Sequence, residues 1–145
     1  MLFRQPIPEP LRHFTGFLLT RLGLGSAQRF AAALEPLGIH PKHFGAMNVI
    51  AAEPGITQHA LCGEAGIDPS SMVAVIDELE RLGFAERRPH PDDRRARSIH
   101  LTAEGKAALR KGRELARRAQ EQLLGPLDPE EREQLQTLLL KLADE

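Results

Sequence analysis

Arg94, Arg95 and Arg97 crowd a short polar stretch, Pro89-His-Pro-Asp-Asp-Arg-Arg-Ala-Arg97, between two strand-like segments, Phe84–Arg88 and Arg97–Leu101. An arginine is always charged and carries a planar fork of donors. Arginines held on a turn between two strands suit a narrow, electronegative cleft such as the minor groove of DNA. Just upstream, Ser70 and Ser71 stand in the opening turn of a helix announced by Asp68 and Pro69. Hydroxyls in the first turn of a short helix are placed to enter a major groove, although both serines can also serve the Asp68 cap.

Other reactive side chains form weaker constellations. Cys62 lies three residues after His59, which would suit a nucleophile and its base, but no orienting third group or oxyanion-type loop accompanies them. No Lys or Arg lies within a helical turn of Cys62 to lower its pKa, so packing as a small apolar side chain is the reading preferred to redox sensing. His40 and His43 are three apart around Pro41, with no cysteine or carboxylate nearby to complete a metal site. No catalytic residue, metal or cofactor is expected. His13, Phe14, Phe17, His43 and Met47 are candidates to line a ligand pocket between the first and second helices, and would serve equally as core.

These groups need elements to aim them. Leu11, Phe14, Leu18 and Leu22 recur at helical spacing, and the helix continues through Arg29–Glu35 with a kink or break expected at Gly23 and Gly25. Pro36 and Gly38 close it. Pro41 opens a second helix carrying Phe44, Met47 and Ile50, and Pro54-Gly55 is a turn. Thr57 caps a short third helix that Gly66 ends. Asp68 caps the fourth, with Met72, Val75, Ile76 and Leu79 inward. The link Gly66-Ile67-Asp68 has the length typical of a helix-turn-helix. After the hairpin, Thr102 caps a fifth helix to about Leu124, and Asp128-Pro129-Glu130-Glu131 opens a sixth. A short helix followed by an arginine-tipped hairpin is the outline of a winged helix-turn-helix.

The bulk numbers agree with this. A chain of 145 residues, 41 % hydrophobic with six Phe and neither Trp nor Tyr, suits aliphatic helices packed on helices. The net charge of −1 excludes a uniformly basic coat, but its distribution is uneven. Arg81–Arg97 holds six arginines against Glu86, Asp92 and Asp93, whereas Pro126–Glu145 holds six acids against Arg132 and Lys141. The single cysteine excludes an internal disulfide, and no uncharged apolar run approaches the ~18 residues that span a bilayer. A cytoplasmic protein without membrane association is expected. The stripe Leu135-Leu138-Leu139-Leu142 and the equally apolar first helix lack partners in so short a chain, which implies a homodimer. Its two recognition helices would meet half-sites ~34 Å apart on a pseudo-palindromic double-stranded operator.

Over about Leu11 to Ala143 the sequence resembles the multiple-antibiotic-resistance regulator (MarR) family. The resemblance is carried by Asp68-Pro-Ser-Ser-Met-Val73, Asp77-Glu-Leu-Glu-Arg-Leu-Gly83, Arg87-Arg88, Asp93-Arg94-Arg95 and Leu101-Thr102-Ala103-Glu104-Gly105. It implies a dimeric winged-helix repressor released by a small phenolic compound or by thiol oxidation. Within it, the minor-groove arginine falls on Arg95 and the acid that braces the wing on Asp93. The major-groove readers fall on Pro69, Ser70, Ser71 and Val73. Ala74 and Glu78 stand where many members carry basic residues, so affinity should lean on the wing, and His90 stands where an acid is common.

The expected architecture is therefore mainly α with a small β-hairpin wing: a winged helix-turn-helix whose N- and C-terminal helices form a dimerisation region. Residues 1–36 and 102–145 would dimerise. Residues 37–101 would form the DNA-binding lobe, with its recognition helix over about 68–82 and its wing over about 84–101. The expected function is a DNA-binding transcriptional repressor, not an enzyme, that responds to a small aromatic or lipophilic ligand. The alternatives are a winged-helix protein-interaction module that does not bind DNA, and a redox-sensing regulator that uses Cys62.

Overall fold

A computed structural model describes residues 5–144. A 3-10 turn, Glu9–Leu11, precedes α1 (Thr15–Leu34), and a second, Glu35–Leu37, precedes α2 (Pro41–Ala52). Then follow β1 (Ile56–Thr57), α3 (Gln58–Ala65), α4 (Pro69–Arg81), β2 (Ala85–Pro89), β3 (Arg97–Leu101), α5 (Ala103–Leu124) and α6 (Pro129–Ala143). The expected fold class holds: mostly helix with a small antiparallel sheet.

Helix starts follow local chemistry. The Thr57 hydroxyl accepts from the Ala60 amide at 3.1 Å, Asp68 Oδ1 from Ser71 at 2.9 Å, and Thr102 Oγ1 from Gly105 at 3.0 Å. Asp128 and Glu131 satisfy each other's backbone amides at 2.9 Å in a reciprocal box. Gly66, at φ 65°, closes α3 in the left-handed conformation and turns the chain directly into the α4 cap.

Two expectations need correction. α1 starts at Thr15, with Leu11 in the preceding 3-10 turn, and it runs through Gly23 and Gly25 without interruption. A helical glycine costs only about 1 kcal/mol. Packing along α5 recovers more than that, and Gly25 is itself buried. The sheet also has a third strand. β1 pairs with β3, which pairs with β2, all antiparallel, so β3 is central. A two-residue strand has no periodicity to read.

The core lies where α2, α3 and α4 meet the sheet and the start of α5. Leu34, Met47, Ile50, Leu61, Met72, Ile76, Leu79 and Ile99 are fully buried in it. The Thr102–Gly105 corner seats the start of α5 on the Gly83–Phe84 turn that follows α4. The Thr102 amide donates to the Phe84 carbonyl at 3.0 Å, its hydroxyl donates to the Gly83 carbonyl, and the Gly105 backbone passes close above Phe84. A Cβ on Gly105 would lie 1.8 Å from that carbonyl oxygen. Gly105→Ala should therefore lower the unfolding midpoint, at a stability cost above the ~1–3 kcal/mol of ordinary overpacking. Gly16→Ala, whose added methyl meets nothing within 4 Å, should not lower it. Equal melting of the two variants by circular dichroism would refute the close approach.

Candidate nucleic-acid interface

α4 presents two faces. Met72, Val75, Ile76 and Leu79 face the core, while Pro69, Ser70, Val73, Ala74 and Asp77 face solvent. Val73 stays 44 % exposed, an apolar contact surface on an otherwise polar face. The Ser70 hydroxyl donates to Asp68 Oδ1 at 2.8 Å, while Ser71 is half-buried. Hydrogen bonds from Ser71 and Ser70 hold the Asp68 carboxyl well below the usual carboxylate range, so the cap stays ionised at neutral pH. A single helix with a small, exposed first turn has the width that a major groove admits.

The hairpin tip is fixed by its own backbone. Asp93 Oδ1 accepts from the Arg95 amide at 2.9 Å, and the Asp93 carbonyl accepts from the Ala96 amide at 3.2 Å. The His90 amide reaches back to the Ala96 carbonyl at 3.3 Å. Asp93 therefore braces the chain at Arg95, not its guanidinium. Arg94, Arg95 and Arg97 are all exposed, and none forms an ion pair among the described residues. Their charge is left for a partner.

Arg87 joins helix and wing. Its strand position points it inward, alongside Ala85, toward α4. Nη2 lies 2.8 Å from Asp77 Oδ1 and 3.4 Å from the Val73 carbonyl, Nη1 bonds Glu80 Oε1, and Nε donates to Gln58 Oε1 at 3.2 Å. Its side chain is only 22 % exposed. One guanidinium thus binds α3, α4 and β2 together and neutralises two acids on α4. A third acid, Glu78, is taken by Arg81 at 2.6 and 2.8 Å, which holds its carboxyl below the usual range. The signal for Arg87 was present in strand parity: an arginine on a core-facing position needs acids opposite it. Asp77 and Glu80, three apart on one helix, are those acids.

The proposed pocket group is not assembled within one protomer. Met47 is fully buried in the core, and His13 and Phe14 stand in solvent at the start of α1. α1 touches α2 through Phe30, whose ring meets Phe44 edge-on at 5.2 Å. At ~1.5 Å rise per residue, Phe14 lies roughly 24 Å along the helix from that contact. His43 Nδ1 accepts from the His40 amide at 3.1 Å, and burial pushes its imidazole below the ordinary value. It is a half-buried cap of α2. Cys62, half-buried against the core, donates its thiol to the Gln58 carbonyl at 3.2 Å. Among the described residues no three His, Cys, Asp or Glu side chains gather as metal ligands.

Comparison with known proteins fits this geometry. A model of the MarR family matches residues 37–96. The chain is 34 % identical over 128 residues to a putative transcriptional regulatory protein for the hcr operon of Thauera aromatica, spanning 88 % of this chain and 77 % of that one. It is 28 % identical over 130 residues to an HTH-type transcriptional repressor of Mycobacterium tuberculosis, spanning 90 % of this chain and 94 % of that one. Among solved structures, the transcriptional repressor CouR bound to a 23-mer DNA duplex matches with a TM-score of 0.86 at 28 % identity, covering 96 % of this chain and 99 % of that one.

Two substitutions separate contact from scaffold. Arg95→Ala should weaken DNA binding by roughly 1–3 kcal/mol and flatten the salt slope by about one, with no change in the melting curve. Arg87→Met removes the partner of Asp77 and Glu80, whose side chains water still reaches, so it should cost on the order of 1 kcal/mol of stability and weaken DNA binding as well. Fluorescence anisotropy on a labelled duplex, beside thermal denaturation, checks both. Unchanged affinity in Arg95→Ala at physiological salt would mean that the hairpin is no DNA wing.

Proposed function

The chain belongs to the MarR family of DNA-binding transcriptional regulators, and on that footing we propose a homodimeric repressor released from a pseudo-palindromic operator by a small aromatic or lipophilic ligand. In this reading Pro69, Ser70, Ser71 and Val73 meet base edges in the major groove. Arg95, with Arg94 beside it, enters the minor groove, and Asp93 sets the wing's backbone. The observation that carries the reading is the rigid pairing of an exposed helix start with an arginine-tipped hairpin, locked through Arg87.

Exposed apolar helices support the dimer. α6 buries none of its residues, and Leu138 and Leu142 stay 60 % and 62 % exposed. On α1, Leu22 and Leu24 are 58 % and 57 % exposed. Large apolar side chains left exposed on two helices support an interface there. An open groove of about 370 Å³ between α1, α5 and α6, lined by Phe30, Leu123, Leu135 and Leu139, could accept helices of a second copy. Residues 1–36 and 102–145 are thus the dimerisation region of this reading, and residues 37–101 the DNA-binding lobe.

The dimer also bears on the ligand. Phe14 and Phe17 are too far along α1 to reach His43 in their own protomer. They can join a pocket near α2 only across an interface with a second copy. A ligand there releases DNA only if it favours the conformer whose recognition helices are mis-spaced, because equal affinity for both shifts nothing.

Two measurements test the function. The DNA association constant should fall steeply and linearly on a log–log plot against salt. A flat dependence would leave a winged-helix protein-interaction module. Deleting Pro126–Glu145 should convert the dimer to a monomer or an aggregate by light scattering. A soluble dimer after the deletion would place the interface elsewhere.

A further inference from the structure

Strand alternation divides the charges of the wing between two faces. Arg87 points toward α4, and Arg88 therefore points to the opposite face of the sheet, where Ser98 and His100 also lie. On that far face an open groove of about 510 Å³ lies between the end of α2, the two wing strands and the first half of α5. Lys106, Arg110 and Arg113 enter it from one side of α5, at helical spacing i, i+4, i+7, and Arg88 enters from β2. Its apolar floor includes Ile50 and Leu109. No acid lines it.

Little near the groove compensates those charges. Arg88 is held by Glu86, its neighbour two residues away. Arg113 gives its Nε to Asn48 Oδ1 at 3.0 Å, which leaves its terminal nitrogens open. Lys106 and Arg110 form no ion pair among the described residues. Cations gathered this way repel one another until an anion sits between them. The volume lies within the ~300–1,000 Å³ of small-molecule sites, and a charged rim over an apolar floor selects an anion with a hydrophobic body.

We propose that this groove is an effector site for a small molecule bearing a phosphate on an apolar body, separate from the DNA-reading face. Duplex DNA seated on α4 lies on the other face of the sheet, so operator phosphates do not fill it. The groove joins the wing strands to α5. A ligand there changes DNA affinity by fixing the wing's angle against the helix that leads to the dimer region. That consequence rests on the proposed regulatory function, whereas the binding site does not.

Phenyl phosphate and inorganic phosphate are the probes, titrated calorimetrically into the full-length protein at low ionic strength. Phenyl phosphate should bind saturably and more tightly than inorganic phosphate, because only it covers the floor. Lys106→Ala/Arg110→Ala should raise its Kd at least tenfold. Lys111→Ala, which removes a charge beside Arg110 but outside the groove, should stay within twofold. Without ligand, the double variant should bind duplex DNA as the parent does.

Absence of saturable binding, or an equal loss in Lys111→Ala, overturns the site. A tenfold loss of ligand-free DNA affinity in the double variant also overturns it, since the groove would then be a DNA contact. If the parent binds phenyl phosphate through Lys106 and Arg110 yet binds no DNA, the site stands and the regulatory reading fails.

Discussion

The structure turns on one guanidinium. Arg87 reaches from β2 to carboxylates on α4, a carbonyl of α4 and the side-chain amide of Gln58 on α3. An arginine's planar fork can satisfy several acceptors at once, which an ammonium cannot do with the same geometry. In a largely shielded position these charge-assisted bonds are stronger than surface ion pairs. They fix the angle between helix and hairpin, so α4 and the β2–β3 hairpin move as one body. Without that lock, each would have to be ordered separately on binding, at a cost in entropy.

The same interaction redistributes charge. α4 carries Asp77, Glu78 and Glu80, a poor surface to bring near phosphates. Arg87 neutralises two of them and Arg81 the third. What remains exposed on the helix is nearly neutral, with Ser70, Val73 and Ala74 forward. Unpaired positive charge is displaced to the wing tip, where Asp93 spends its carboxylate on the Arg95 backbone amide and leaves the guanidinium open. A protein with a net charge of −1 can thus present a positive edge to DNA. Affinity should depend on the wing more than on the helix.

The helices at the two ends of the chain bury less than the winged lobe does. The aliphatic core of the winged lobe is completed by Leu34 of α1 and by Ala108 and Leu109 of α5, whereas Leu22 and Leu24 of α1 and Leu138 and Leu142 of α6 stay exposed. Packed interfaces tend to have discrete arrangements rather than deform continuously. α5 runs from the Thr102 corner beneath the wing to the open helices, so it is the element able to transmit a change between them. Gly105 matters for that reason: with no side chain, it lets α5 sit directly on the Phe84 carbonyl.

Much was legible in the sequence because it is decided within a few residues. Thr57, Asp68, Thr102 and Asp128 cap helices through amides three residues on, and Gly66 ends α3 through its own backbone freedom. The apolar periodicity of α4 marked its buried face, and the polar turn between strands marked the wing. What tertiary structure alone decided depends on residues far apart in the chain. Gln58 and Arg87 are 29 residues apart, and the two-residue β1 exists only because Ile56 and Thr57 meet Ile99 and Ser98. α1 stays whole across its glycines because α5 supports it. His13, Phe14 and Phe17 stand apart from His43 and Met47 within one protomer because the length of α1 separates its start from its contact with α2. Local chemistry sets where elements begin and end, while long-range packing sets which of their side chains meet.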